Sequence, residues 1–125
     1  MPGITGAGPE TVTPKPKGST REFNTTAVTT TNTYATLVEL IPTDKKDFDL
    51  AYFSAGCDED IWIRLKWGSD VITPDIPVMA KTFPQFWVPS EYKKVTGDGT
   101  TKFTLEVKYM SAAGSAFGEI VGEET

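Results

Sequence analysis

The stretch Ile61-Trp62-Ile63-Arg64-Leu65-Lys66-Trp67 constrains this chain more than any other. Ile61, Ile63, Leu65 and Trp67 fall at every second position, with Arg64 and Lys66 between them. Successive side chains of a strand point to opposite faces, so the alternation defines one apolar face and one polar face. A helix would scatter the same residues around its circumference. The β-branched and aromatic side chains also favour a pleated, half-buried surface. The acids Asp58-Glu59-Asp60 mark the start of the strand, and Gly68-Ser69-Asp70 marks its end. Trp62 breaks the pattern by sharing the polar face with Arg64 and Lys66. It either packs under a loop or beside the stems of those two side chains, or is offered to a partner.

Three further strands read in the same way. Tyr34-Ala35-Thr36-Leu37-Val38-Glu39-Leu40-Ile41 is stopped by Pro42. Phe48-Asp49-Leu50-Ala51-Tyr52-Phe53-Ser54 follows the polar turn 43–47, with Phe48, Leu50 and Tyr52 on one face, and the short turn predicts an antiparallel connection. Residues 102–110 alternate again, with Phe103, Leu105, Val107 and Tyr109 inward and Lys102, Thr104, Glu106 and Lys108 outward. An edge-like strand is expected near 22–30. Thr96-Gly97-Asp98-Gly99-Thr100 carries the Asp-Gly signal of a hairpin turn. Ser90 is placed to cap a helical turn before it.

Between the third and fourth strands the chain is apolar but broken by proline. Val71 to Ala80 contains Pro74 and Pro77, which removes donors from a central ladder and predicts an edge strand or an ordered loop. Lys81 to Pro89 adds Phe83, Phe86 and Trp87. Phe83 and Trp87 are candidates for an exposed aromatic patch of the kind that marks interfaces.

The two ends differ from the middle. Residues 1–20 are rich in Gly, Pro and Thr and hold almost no large apolar side chain, so they cannot fold alone. Pro14 and Pro16 alternate with Lys15 and Lys17, which favours an extended path. We expect residues 1–20 to be an N-terminal arm lying on a neighbouring subunit. Residues 111–125 are rich in small side chains, with Phe117, Ile120 and Val121 as the only anchors, and are expected to form a C-terminal extension. The expected core is then 21–110, an all-β antiparallel sandwich or jelly-roll-like barrel with extended N- and C-terminal arms.

Composition limits the chemistry. There is no histidine and one cysteine, Cys57, among 125 residues. A Ser-His-Asp or Cys-His device cannot be built, nor a zinc site of the usual kind, and no internal disulfide can form. Asp58-Glu59-Asp60 lacks the spacing of a calcium loop and reads as a solvated turn. Net charge is −5, so nucleic acid is not an expected partner. No apolar run is long enough to span a membrane. Residues 1–20 lack the pattern of a secretory leader, which gives the Asn24-Thr25-Thr26 sequon little weight. We expect no catalysis, no cofactor and no metal.

From Tyr34 to Met110 the chain resembles the small β-sandwich modules of tailed-bacteriophage virions. The shared pattern is an Ala-Thr-Leu first strand ending at proline (Ala35-Thr36-Leu37 to Pro42), a polar turn and second strand, and then a strand like Ile61-Trp62-Ile63-Arg64-Leu65. A Gly-Asp turn and a closing strand like Thr104-Leu105-Glu106-Val107 complete it. The proline-broken stretch 74–89 is bulkier than that pattern. The resemblance implies a capsid decoration or cement protein on the virion surface, made in the host cytoplasm. It would bind the major capsid protein or another virion subunit and assemble as a homo-oligomer, a trimer by preference. Lys15, Lys17, Trp62, Phe83 and Trp87 are the candidate partner-binding residues. A carbohydrate-binding module stacking sugars on Trp62, Trp67 and Trp87 is the competing reading, although Trp67 lies on the apolar face of its strand.

Overall fold

The computed structural model describes residues 19–28, 33–88 and 93–125. Through them run β1 (Ser19–Val28), β2 (Ala35–Leu40), β3 (Asp47–Cys57), β4 (Ile61–Trp67) and β5 (Asp70–Val71). They are followed by β6 (Ile76–Val78), β7 (Gln85–Phe86), β8 (Lys94–Thr96), β9 (Phe103–Tyr109) and β10 (Gly114–Glu124). The first sheet has the order β1-β10-β3-β7, with β8 also on β3. The second has the order β2-β9-β4-β5, with β6 also on β4. All the pairings are antiparallel, and the sheets pack on each other as a β-sandwich.

The alternation of β4 and β9 builds the middle of the second sheet. Ile63 lies opposite Val107, Leu65 opposite Leu105 and Trp67 opposite Phe103. Ile63, Leu65, Leu105 and Val107 are fully buried. Trp67 packs on Phe103 with ring centroids 4.6 Å apart, so it belongs to the core. On the other face of the same strands Arg64 lies opposite Glu106. Thr104 and Glu106 are themselves buried, because β9 is an inner strand and side chains from both neighbours cover them.

Two strands carry an irregularity that alternation alone does not foresee. In β3, Tyr52 pairs with Val121 and Leu50 with Gly122, so Ala51 is an extra residue. The bulge resets the facing: Phe53, Ala55 and Cys57 join Phe48 and Leu50 in the core, and Tyr52 turns outward. In β2, Thr36 pairs with Glu106 and Val38 with Leu105, leaving Leu37 over. Consecutive Leu37 and Val38 are both buried as a result.

The structure corrects four expectations. Residues 111–125 are not an extension, because β10 is an inner strand held between β1 and β3, with Ala116 and Ile120 fully buried. Ser19 and Thr20, placed in the arm by sequence, belong to β1, which is an edge strand as expected. The turn between β2 and β3 is not a hairpin, since the two strands lie in different sheets. The Asp98 turn likewise carries the chain from β8 in the first sheet to β9 in the second. There the Asp98 carboxylate accepts hydrogen bonds from the Thr100 N–H (2.9 Å) and the Thr101 N–H (2.6 Å) and Oγ1 (2.5 Å), which hold its pKa well below the usual carboxylate range. The proline-broken stretch 71–80 behaves as expected, with β5 and β6 at the edge of one sheet, and β7 edges the other. Ser90 lies outside the described residues.

Leu65→Ala should lower the unfolding free energy by about 2–5 kcal/mol, and Lys66→Ala by under about 1 kcal/mol, in urea titrations. Equal losses would show that β4 is buried on both faces. Ending the chain at Ala113 should abolish cooperative unfolding. A sharp thermal transition in that variant would show that β10 is dispensable.

Candidate functional site

The outer face of the first sheet carries a row of aromatic rings. Strand alternation sends Arg21, Phe23 and Thr25 of β1 outward, opposite Val121, Glu119 and Phe117 of β10. The Phe23 and Phe117 rings lie 6.0 Å apart, and Phe83, on the link between β6 and β7, lies 5.2 Å from Phe117. The link comes this close because β3 has Gly56 beneath it. A Cβ there would sit 2.8 Å from the Phe83 ring and 2.5 Å from the Thr82 carbonyl oxygen. Phe23 is 57% exposed and Phe83 44%, so the row faces solvent.

A polar network adjoins the row at Phe23. The Glu119 side chain is buried, with 9% exposure. Its Oε1 accepts a hydrogen bond from Arg21 Nε at 2.7 Å, and its Oε2 accepts one from Ser54 Oγ at 3.2 Å. A buried carboxylate is tolerated only when it is paired and hydrogen-bonded, and here both oxygens are engaged. The contacts tie β1, β10 and β3 together. They also place the Arg21 guanidinium 4.5 Å from the centre of the Phe23 ring, which limits where that ring can lie.

The outer face of the second sheet is built differently. Tyr34 lies between two cations, with Arg64 Cζ 4.2 Å and Lys108 Nζ 4.7 Å from its ring centre. Its hydroxyl donates to Asp75 Oδ1 at 2.7 Å. Arg64 Nε donates to Glu106 Oε1 at 2.7 Å, and Lys66 Nζ stands 3.8 Å from Oε2. Burial and the bond to Asp75 push the Tyr34 hydroxyl above its ordinary pKa. Aromatic and charged groups on this face satisfy one another.

Of the five predicted site residues, the structure describes Trp62, Phe83 and Trp87 and does not bring these three together. Phe83 joins the aromatic row. Trp87 is 69% exposed but makes no ring contact with the row among the described residues. Trp62 lies on the outer face of the second sheet, half-buried, with Lys108 and Pro77 as its register neighbours. Lys15 and Lys17 lie outside the described residues. Sequence reasoning missed Arg21, Phe23, Phe117 and Glu119 as a group. The signal was present as Arg21-x-Phe23 on one strand and Phe117-x-Glu119 on another, but only the pairing of β1 with β10 joins them.

Two other features are structural. Asp58 Oδ1 accepts from the Ser115 N–H at 2.8 Å, and Asp60 Oδ1 accepts from the Ala80 N–H at 2.7 Å, so two of the three acids before β4 anchor loops. Cys57 is buried, and burial pushes its thiol up, which disfavours the nucleophilic thiolate. Among the described residues no group of His, Cys, Asp and Glu is placed to hold a metal, and no helix is long and apolar enough to cross a membrane. No protein-family model, curated protein or solved structure matches the chain.

Tyr34 generates a pH prediction. Its folded pKa lies above the unfolded value, so its contribution to stability is complete below about pH 10 and is lost as pH rises through the folded pKa. Phenolate absorbance of the native protein and of Tyr34→Phe should therefore coincide through pH 10 and separate only above it. Separation already at pH 10 would show that the Asp75 bond does not hold in solution.

Proposed function

We propose that this chain is a non-catalytic structural subunit that assembles through the outer face of its first sheet, and that its setting is a viral shell, as a decoration or cement protein. The row Phe23–Phe117–Phe83 carries the reading. Exposed aromatic rings adjoining a buried network are suited to anchoring an interface, because little side-chain freedom is lost when they are covered. The chain's net charge of −5 disfavours packaged nucleic acid and suits an outer surface. The virion setting, with a capsid or other virion subunit as the partner, rests on the strand order and turn placement from Tyr34 to Met110.

The sugar-binding alternative is less favoured, because it calls on three tryptophans that do not line one face. Trp62 and Trp67 lie on opposite faces of β4, and Trp67 is packed on Phe103, so the three tryptophans cannot share one stacking surface.

The paired substitution Phe23→Ser and Phe83→Ser should leave the thermal midpoint within a few degrees, since both rings face solvent. It should remove self-association in sedimentation velocity and binding to undecorated shells. Full assembly and shell occupancy by this variant would discard the aromatic face as the interface. Failure of the intact protein to bind any capsid or virion structure would discard the virion setting.

A further inference from the structure

β1 and β2 are each an edge strand of their sheet and run beside each other. A groove of about 300 Å³ lies between them. Glu22, Phe23 and Asn24 line its β1 side, and Leu37, Val38 and Glu39 line its β2 side. Asn24 reaches across, its Nδ2 donating to the Leu37 carbonyl at 3.0 Å. That bond shows that β2 turns a backbone acceptor toward the groove. Unpaired edges of this kind accept an added strand. Glu22 has no ion-pair partner among the described residues. Glu39 pairs with Lys102 at 2.7 Å, but the two side chains are 39% and 41% exposed, so water and other cations compete for it.

The segment Thr13-Pro14-Lys15-Pro16-Lys17 has the matching chemistry. In an extended chain the backbone groups of successive residues point to opposite sides. Pro14 and Pro16 share one side, and Lys15 and Lys17 share the other. Proline has no N–H, so the segment can pair fully only along its lysine side, and it cannot template a further strand. The two lysine side chains project from one face about 7 Å apart, opposite in charge to the glutamates on the groove.

We propose that residues 13–17 of a neighbouring copy lie extended in the groove between β1 and β2, each copy giving one arm and receiving another. A copy's own arm is badly placed for this. Gly18 alone separates Lys17 from Ser19, where β1 begins, so the chain would have to reverse at Lys17-Gly18 and would take Lys17 itself out of the groove. A head-to-tail exchange closes into a ring when the rotation allows it. This inference rests on the assembly reading above and names the second contact that holds the assembly.

The test uses full-length chain, co-refolded from equal amounts of ¹⁴N- and ¹⁵N-labelled protein. Sedimentation velocity and zero-length carbodiimide cross-linking are run on the same sample. We expect an oligomer, with Lys15 or Lys17 linked to Glu22 or Glu39 and about half of those links joining light to heavy copies, the share expected of random exchange between identical subunits. Lys15→Glu with Lys17→Glu should break the oligomer, and adding a Glu22→Lys, Glu39→Lys copy should restore mixed assemblies. Links only within one isotope would overturn the exchange, because the arm would then serve its own groove. An oligomer without these links, unaffected by the charge reversals, would overturn the groove assignment and leave the assembly reading standing. A monomer would overturn both.

Discussion

The two sheets come close together at Gly118, and much of the molecule depends on that approach. A Cβ on that residue would lie 2.5 Å from Leu37 Cδ2 and 3.1 Å from Leu105 Cδ2. Gly122, further along the same strand, has the Phe48 ring where its own side chain would be. The inner face of β10 thus contributes little volume of its own beyond Ala116 and Ile120. Bulky side chains from both sheets fill the space, as close packing requires. Leu37 reaches Gly118 only because of the bulge in β2, which buries two consecutive residues. The same bulge leaves the Leu37 carbonyl facing the edge, where Asn24 binds it. One glycine, one bulge and one edge contact are therefore parts of a single packing solution.

The outer faces repeat a second motif. One inner strand of each sheet carries a buried glutamate on its outer face, Glu119 on β10 and Glu106 on β9. Each is held at 2.7 Å by an arginine from a neighbouring strand, Arg21 or Arg64. Each arginine also lies over an aromatic ring, Phe23 or Tyr34. The two faces differ in the groups that surround the ring. Tyr34 has a hydroxyl that donates to Asp75 and a second cation, Lys108, against it, so its ring is engaged by polar partners. Phe23 has no polar handle and continues into Phe117 and Phe83, so that face ends in exposed hydrocarbon. Burial of that hydrocarbon is favourable only with another molecule present. This contrast leaves the aromatic row of the first sheet, and not the Tyr34 ring, without polar partners on its open side.

What could be read from the sequence was what period-2 alternation encodes. Residues 61–67 and 103–109 gave their strands, their facing and the core role of Trp67 directly. Alternation failed where a bulge changes the parity, so Phe53 and Tyr52 exchanged places in β3. It failed more seriously at β10, where glycine and alanine were taken to mean a lack of anchors. They mark a strand whose volume is supplied by its neighbours, and no pattern within residues 114–124 states that Phe48, Leu37 and Leu105 lie against it. The turns were recognised as turns, but whether a turn returns to the same sheet depends on partners far away in sequence. The aromatic row was half visible for the same reason: Phe83 was noticed, while Phe23 and Phe117 meet only through a pairing nearly a hundred residues apart, whose Arg21 to Glu119 bond spans 98 positions.

β1 joins these threads. Ten residues pair with β10 on one side, and the other side is a sheet edge. Natural proteins shield such an edge, because an open one recruits other chains. Here alternation gives the strand two different surfaces. Arg21 and Phe23 face the aromatic row, while Glu22 and Asn24 face the groove beside β2. The two surfaces meet along one strand, so a single neighbour seated there would cover the exposed rings with its body and the groove with its arm. Neither contact has to be strong alone. A Phe23 ring restrained by Arg21 would lose little freedom on binding, and a tethered arm would meet the groove at high effective concentration once the bodies had met. On the proposed reading, an edge that would otherwise be a liability would make attachment specific, because a neighbour would need both features to fit both surfaces.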